Sequence, residues 1–374
     1  MSTARPLRIL YLADARSIHT QRWVGWFARR HEVRLISVPS LPAKDWDHPE
    51  IPLISGAPAY RTPLLSLLRI TAFVRREIKR FRPDVVHAHY LVPNAWIAAL
   101  TGFPRVVTTA WGSDLLRQPP RANQLNRLAL RRAVLNTGDS QEAVDRLIAL
   151  TGRRNTVQLV QFGVDTQAFA PAPASGALRR EWQIPEGARV LVSPRILRPL
   201  YNGQTIAQAF IQVAAKHPDV HLIFLAFHAE QSYQQAVEKP LQAAGVLARV
   251  RFVPSVAHDQ MPELYREAAA ILSVPSSDTT PVSVLEAMAC GSPIIASDLP
   301  SVREWVTPGV NGWLVAPGDA NALAQAVESA LALPELQKQA FAAAGRRAVV
   351  ERASQDAEMT RMEHLYRQLQ PTTR

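Results

Sequence analysis

A single cysteine, Cys290, stands in 374 residues. That excludes a disulfide framework and any cysteine-based metal cluster, and makes a reducing compartment the expectation. No apolar run approaches the roughly 20 residues that a membrane-spanning helix needs. The opening stretch, MSTARPLRILYLAD, is too short in its apolar part for a secretion signal and reads as a first strand, so a cytoplasmic protein is expected. Glycine is missing before Gly25, and ADARSIHTQRW after the first strand therefore holds no G-x-G-x-x-G turn. Nicotinamide or flavin binding at that place is disfavoured. Walker A, G-x-S-x-G and H-E-x-x-H patterns are also missing, as is an acidic cluster at metal-ligand spacing. A site with no metal and no other cofactor is the expectation. No repeat with a fixed period of 20 to 50 residues occurs, which removes solenoids and propellers.

Negative charge is scarce in one half only. Residues 1–170 carry 24 Lys and Arg against 12 Asp and Glu, while the remainder carries 18 against 19. The net charges of +12 and −1 together give the +11 of the whole chain. A basic half beside a near-neutral half argues for two domains with different partners. The basic half suits an anionic membrane surface, a phosphorylated acceptor or nucleic acid. Its arginines are scattered through amphipathic helices and no RNA-binding motif occurs, so nucleic acid is not expected.

What is present is an alternation. Strand-length apolar runs near 7–13, 33–38, 84–90, 105–111, 134–137 and 157–162 are separated by helical patterns, and a second series begins near 190–193. This is the pattern of parallel sheets with helices on both faces, hence an α/β chain of two doubly wound, Rossmann-like domains. TQAFAPAPASGA, residues 166–177, is rich in Ala and Pro without period and reads as the linker. The proline-rich stretch 39–63 reads as a long loop. Residues 64–81 read as a helix with Ile70, Phe73, Val74 and Ile78 on one face and Arg69, Arg75, Arg76, Lys79 and Arg80 around the rest. That is a surface helix of the domain or an amphipathic helix resting on anionic lipid, for which Arg75, Arg76 and Arg80 are the test residues.

In open α/β sheets ligands bind at the carboxyl ends of the strands. Asp14, His89, the run Trp111 to Asp114, Arg195, His228 and Asp278 all fall just after a strand. The stretch SSDTTPVSVLEAMACG, 276–291, reads as the loop and helix that follow a strand. Pro281 is expected as the first helical residue, Thr280 as its N-cap, and Gly291 as the closing glycine. The start of such a helix suits a diphosphate. Asp278 before it and Glu286 within it place a carboxylate on either side, fit for sugar hydroxyls or simply solvated. Arg195 is a fixed, always charged fork suited to a diphosphate, and Arg198 offers a second charge. His87 and His89 share one face of their strand, but only His89 stands next to its end, where it can orient a hydroxyl. Asp114 sits in a turn that either caps a helix or meets a sugar. His19 begins a helix directly after the first strand.

These segments resemble glycosyltransferase family 4, the group 1 transferases of GT-B fold. VVHAHYLVPNAW, TTAWGSDLL, FGVDTQAF, the arginine of SPRILRPLYNG, DTTPVSVLEAMACGSPIIASD and NGWLVAPGD carry the resemblance along nearly the whole chain. It implies a first, acceptor-side domain over 1–170, a donor domain over 171–352, and a final helix over 353–374 that crosses back to the first domain. It also implies retaining transfer of a hexose from a nucleotide diphosphate sugar to a glycan or lipid-linked acceptor, without a metal. Arg195 would stabilise the leaving diphosphate, Glu286 the ribose and Asp278 the hexose. Thr279, Thr280 and the helix start at Val282 and Ser283 would line the donor site. His89 would lie near the reacting sugar, with Asp14, His19, Trp111 and Asp114 on the acceptor side. Three departures stand out: Asp278 where the family commonly has Glu, no lysine after Arg195, and Trp111 in place of a histidine. A GT-B nucleotide-sugar epimerase and a non-catalytic basic binding protein are the rival readings.

Overall fold

The computed structural model describes residues 5–37, 46, 48, 50–54, 63–116, 118–227 and 229–370. Most of the proline-rich stretch 39–63 lies outside the described residues, as does His228. The chain forms two compact units, one from residues 1–162 with 356–374 and one from 163–355.

The first unit is a parallel sheet of seven strands. They are β1 (Arg8–Ala13), β2 (Glu32–Ser37), β3 (Leu53–Ile54), β4 (Val85–His89), β5 (Val106–Thr109), β6 (Leu135–Gly138) and β7 (Val157–Leu159). Their order is β3-β2-β1-β4-β5-β6-β7. The short β3 lies inside the stretch read as loop; two residues give no period to read. From β4 onward each crossover steps the same way, so right-handed connections place the intervening helices on one face. That face buries Ile70, Val74, Ile97, Leu130 and Leu147 against Val86, Ala88 and Val106. Leu91–Ala95 forms a wide, π-helical turn that runs into the helix Trp96–Leu100. Within it Val92 is extended, as the residue before Pro93 is pushed out of helical conformation.

The helix Gln355–Gln368 is part of the opposite face of this sheet. Tyr366 is fully buried, with its Oη 2.5 Å from His87 Nδ1 and 3.2 Å from Tyr11 Oη. Nearer its start, Trp26 Nε1 donates to Asp356 at 2.6 Å and the Gln161 amide donates to Glu358 at 2.8 Å. His87 Nε2 continues the chain to Thr109 Oγ1 at 2.7 Å, and Thr109 to Thr137 at 2.6 Å. His87 is thus a satisfied core group that docks a helix.

The second unit is a six-stranded parallel sheet ordered β10-β9-β8-β11-β12-β13. Its strands are β8 (Arg189–Ser193), β9 (Val220–Leu225), β10 (Val250–Val253), β11 (Ala268–Ser273), β12 (Ile294–Ser297) and β13 (Trp313–Val315). Both sheets reverse direction once, between β1 and β4 and between β8 and β11. Those two gaps are the topological switch points, where a crevice opens at the carboxyl edge of such a sheet.

The stretch 166–177 is no free linker. Arg346 donates to the carbonyls of Thr166, Phe169 and Ala289, and Arg266 to those of Ala168 and Ala170. Phe169 is 2% exposed. Alanine and proline leave backbone carbonyls without local partners, and two arginines from elsewhere in the unit supply them. Just before it, Gly163 takes a φ of +78°, and a Cβ there would lie 2.5 Å from the Gln355 Cα. Val164 then bonds Ala353 and Gln355 through its backbone at 2.7 and 2.9 Å, and the Asp165 carboxylate accepts from the amides of Gln167 and Ala168. The G-V-D-x-x-x-F segment therefore pins the two places where the chain passes between units.

Candidate functional site

The switch point of the second unit gathers charge. Arg195 follows β8 and Asp278 follows β11, and the strand order brings these loops side by side. The Arg195 guanidinium lies 3.2 Å from Asp278 Oδ2 and donates to Ser283 Oγ at 3.3 Å. It also rests 4.5 Å from the centre of the Tyr201 ring. Burial works against the arginine's charge, but Asp278 and then Tyr201 outweigh it and hold its pKa above the usual guanidinium value. The loop bearing Tyr201 is tied to its neighbour: Asn202 Nδ2 donates to the Val274 carbonyl at 2.8 Å, and the Ser276 amide to the Leu200 carbonyl at 2.9 Å.

The helix after Asp278 runs over Val282–Cys290, one residue later than its sequence suggests. Pro281, not Thr280, is the cap residue, with φ −78° and ψ +78°. The Thr280 carbonyl accepts the Val282 amide at 2.9 Å. The short turn leaves Thr279 and Thr280 buried and Ser283 beside Arg195. The Asp278 carboxylate also accepts from the Thr279 amide at 3.0 Å, and its carbonyl is held by Ser301 at 2.8 Å. Gly291 closes the helix at φ +84°, the left-handed conformation that makes glycine the natural residue there.

Glu286 is 7% exposed and points into the same unit's interior edge. Tyr265 Oη donates to its Oε2 at 3.3 Å, and His258 Nε2 lies 3.5 Å from its Oε1. Burial, and then the Glu286 charge, push the Tyr265 phenol well above its ordinary pKa, so Tyr265 is a lasting donor. Arg198 stands exposed at the start of the 3-10 turn Pro199–Tyr201, and its carbonyl accepts the Tyr201 amide at 2.9 Å.

At the switch point of the first unit the chemistry is neutral. His89 is fully buried, and among the described residues neither ring nitrogen has a hydrogen-bond partner. It lies edge-on to Trp23 at 4.8 Å and 4.4 Å from His87. Burial pushes its pKa down to about 3, so it is uncharged across the physiological range. Trp111 is half-buried, packed edge-on against His19 at 5.8 Å and Phe162 at 5.3 Å. Tyr90, directly after His89, holds a φ of +67° and places its Oη 3.0 Å from Ser113 Oγ. A positive φ is uncommon for a bulky residue and marks a tightly determined backbone.

Two acceptor-side candidates are already engaged. Asp114 is fully buried and accepts from the amides of Leu91 at 2.6 Å and Trp111 at 2.9 Å. Desolvation raises its pKa to about 6 despite those bonds. Asp114 lies inside the helix Ser113–Leu116 and ties it to the backbone at Leu91 and Trp111. Asp14 forms a surface pair with Arg16 at 2.7 Å. Tyr201, Tyr265, His258 and Tyr90 were not legible as site residues. Tyr201 carried a signal, since it stands in RPLYNG where the family lysine is lacking; Tyr265 and His258 reach Glu286 from a helix more than 20 positions away. Among the described residues no group of three or more His, Cys, Asp or Glu is placed to hold a metal ion.

Two family models match the chain. "Glycosyl transferases group 1" covers residues 175–347 and "Glycosyl transferase 4-like" covers residues 8–139. The chain belongs to the group 1 glycosyltransferases. Among its relatives, the D-inositol 3-phosphate glycosyltransferase of Geodermatophilus obscurus is 29% identical over 295 residues, 72% of this chain and 65% of that protein. The N-acetyl-alpha-D-glucosaminyl L-malate synthase of Bacillus anthracis is 25% identical over 253 residues, 66% and 65% of the two chains. The matched part thus spans just under two thirds of either relative's length. The glycosyltransferase from Rickettsia africae has the same fold, with a TM-score of 0.84, 16% identity and coverage of 98% of this chain and 99% of that one. Anabaena Alr3699/HepE, solved in complex with UDP-glucose, gives a TM-score of 0.81 at 20% identity and covers 97% and 100%. The fold is GT-B.

Proposed function

We propose that this group 1 glycosyltransferase moves a hexose, with retention, from a nucleotide diphosphate sugar to a hydroxyl of a glycan or lipid-linked acceptor. One observation carries the reading: Arg195, Asp278 and Ser283 meet at the amino end of a nine-residue helix, with Glu286 in its second turn. The bond that breaks leaves negative charge on a diphosphate. A buried arginine and the positive end of a helix, fixed in place beforehand, stabilise that charge as it forms. A metal would be one source of such charge; Arg195 is the source this chain itself provides, and a metal-independent reaction is part of the proposal.

The roles divide by geometry. Glu286, oriented by Tyr265 and His258, would accept hydrogen bonds from ribose hydroxyls. Asp278 would hold the hexose hydroxyls. It now pairs with Arg195, so donor binding would exchange partners, with a phosphate oxygen taking the guanidinium and the hexose taking the carboxylate. The Val282 amide would have to leave the Thr280 carbonyl to meet a phosphate, which makes Ser283 the nearer group. Arg198, exposed beside the Tyr201 turn, would be the candidate second charge, with the Tyr201 ring against the Arg195 guanidinium. On the first unit His89 would position the reacting groups as a neutral hydrogen-bonding ring, since a base whose pKa is about 3 takes protons poorly near neutral pH. Trp111 offers an apolar face to an acceptor sugar. The names of the relatives point to hydroxyl acceptors, inositol 3-phosphate and L-malate, and the HepE structures hold UDP or UDP-glucose.

The test is a transfer assay with chelator, pairing nucleotide sugars of several bases with glycan and lipid-linked acceptors. Product in which the donor's anomeric configuration is kept, read by NMR, is the expected result. Inverted product refutes retention. Donor consumption that yields an epimeric nucleotide sugar without acceptor supports the epimerase instead.

A further inference from the structure

The helices on the outer face of the first sheet show an arrangement that sugar transfer does not use. Pro63–Phe81, Trp96–Leu100 and Pro120–Arg132 lie side by side there. Trp96 Nε1 donates to Asn126 at 2.7 Å, and Arg75 donates to the carbonyls of Leu100 and Thr101 at 2.6 and 3.1 Å, so the three are bound to one another. Arg75 is therefore a clamp between helices and does not belong among the lipid-facing arginines.

The outward stripes of the two long helices both carry exposed leucines together with basic residues. In Pro120–Arg132 the residues Arg121, Leu125, Leu128 and Arg132 recur at spacings of four, three and four, and all are exposed. In Pro63–Phe81 the stripe is Leu65, Leu68, Ala72, Arg76 and Lys79, again all exposed. Leu65 and Leu68 are each 53% exposed, Leu125 48% and Leu128 50%. Leu100, on the helix between them, is 36% exposed. Among the described residues of these three helices no carboxylate is exposed: Trp96–Leu100 and Pro120–Arg132 contain none, and Glu77 of the first helix is buried. In Pro120–Arg132 two leucines stand between two arginines, and in Pro63–Phe81 two leucines open the stripe and Arg76 and Lys79 close it, so the exposed stripes combine apolar surface with charge of one sign.

We propose that this three-helix face docks on an anionic phospholipid bilayer, with the leucines entering the headgroup boundary and the flanking arginines meeting lipid phosphates. The charge decides among occupants. A second copy would set arginine against arginine, and nucleic acid would leave the leucines in water. A lipid surface alone supplies negative charge and an apolar layer at once. The inference does not depend on the transferase reading, because its readout is partition and not turnover.

The full chain is mixed with vesicles of zwitterionic lipid alone and of the same lipid with 30% anionic phospholipid, and the bound fraction is read by flotation. Each basic residue near such a surface is worth about a five-fold gain in partition. Binding to the anionic vesicles only is expected, falling at least ten-fold in Leu125→Ser/Leu128→Ser and at least ten-fold in Arg76→Gln/Arg121→Gln/Arg132→Gln. Arg75→Gln should fall much less than either set and should lower the melting temperature. All of the substituted leucines are exposed, and unchanged circular dichroism confirms that the variants are folded. No partition of the parent chain overturns the proposal. So does partition that the leucine pair leaves unaltered, which is adsorption by charge alone, and so does a dimer in sedimentation velocity that the leucine pair abolishes.

Discussion

Each unit reverses its sheet order once, and the two switch points are built from opposite materials. In the second unit the carboxyl edge presents Arg195, Asp278 and Glu286, all largely buried and all held by ionic or phenolic partners. In the first unit the same edge presents His89 and Trp111 among aromatic rings, with Asp114 spent on backbone amides and Asp14 paired with Arg16. One topology thus prepares two kinds of crevice. Charge kept in low dielectric is costly unless it is matched, so the charged edge is suited to a ligand that brings its own charges. The neutral edge is suited to a ligand that brings hydroxyls and C–H faces. The proposed diphosphate sugar and hydroxyl-bearing acceptor would divide along that line.

Breaking the charged edge should have the largest effect. Arg195→Ala is expected to lower kcat by about 10²–10³-fold, the usual cost of removing one pre-placed group that stabilises transition-state charge. Steady-state rates at saturating donor test this, and a loss under ten-fold would deny Arg195 that task. Glu286→Ala should follow, with nucleoside diphosphate affinity weaker by about ten-fold or more, since a charged hydrogen bond is worth about 1.5–3 kcal/mol. Calorimetric titration separates this from a turnover defect.

The neutral edge should answer to acid, not to substrate charge. The folded pKa of His89, about 3, lies below its ordinary 6.5, so the unfolded chain binds the extra proton first. Stability carried by the neutral ring is complete above pH 6.5 and is lost as pH falls toward 3, at up to about 1.4 kcal/mol per pH unit. Asp114 opposes it. With a folded pKa of about 6 against 3.8, it costs stability as pH rises through that interval. His89→Phe should therefore flatten the acid limb of stability against pH, while Asp114→Asn should steepen it. Denaturant melts at half-unit pH steps read both. The smallest effect belongs to the docking of the final helix: Tyr366→Phe leaves His87 Nδ1 and Tyr11 Oη without this partner and should cost about 1–3 kcal/mol with the donor affinity unchanged.

Much of this was legible in the chain itself. Alternating apolar runs gave both parallel sheets, because buried strands of such sheets are nearly continuous hydrophobic runs. Arg195, Asp278 and Glu286 could be chosen because each follows a strand or opens a helix, and the strand order then brings the loops together. What escaped is what depends on partners distant in sequence. The Arg195–Asp278 pair spans 83 positions, and the role of Tyr201 under the guanidinium needs the loop's actual path. The Ala/Pro stretch 166–177 looked loose because its anchors, Arg266 and Arg346, lie far along the chain. His87 could be set apart from His89 by its distance from the strand end, but its partner Tyr366 is 279 positions away.

The central claim is that the second unit holds the nucleotide diphosphate through Arg195 and Glu286 and the hexose through Asp278. The most direct measurement is calorimetric titration of a nucleotide sugar and its bare nucleoside diphosphate, with chelator present, into the parent chain and into Asp278→Ala. The parent should bind both, the sugar-bearing form more tightly. Asp278→Ala should bind the bare diphosphate at least as well, because Arg195 loses its competing carboxylate, and should lose the increment due to the hexose. Equal loss of both ligands, or no binding by the parent, would contradict the account.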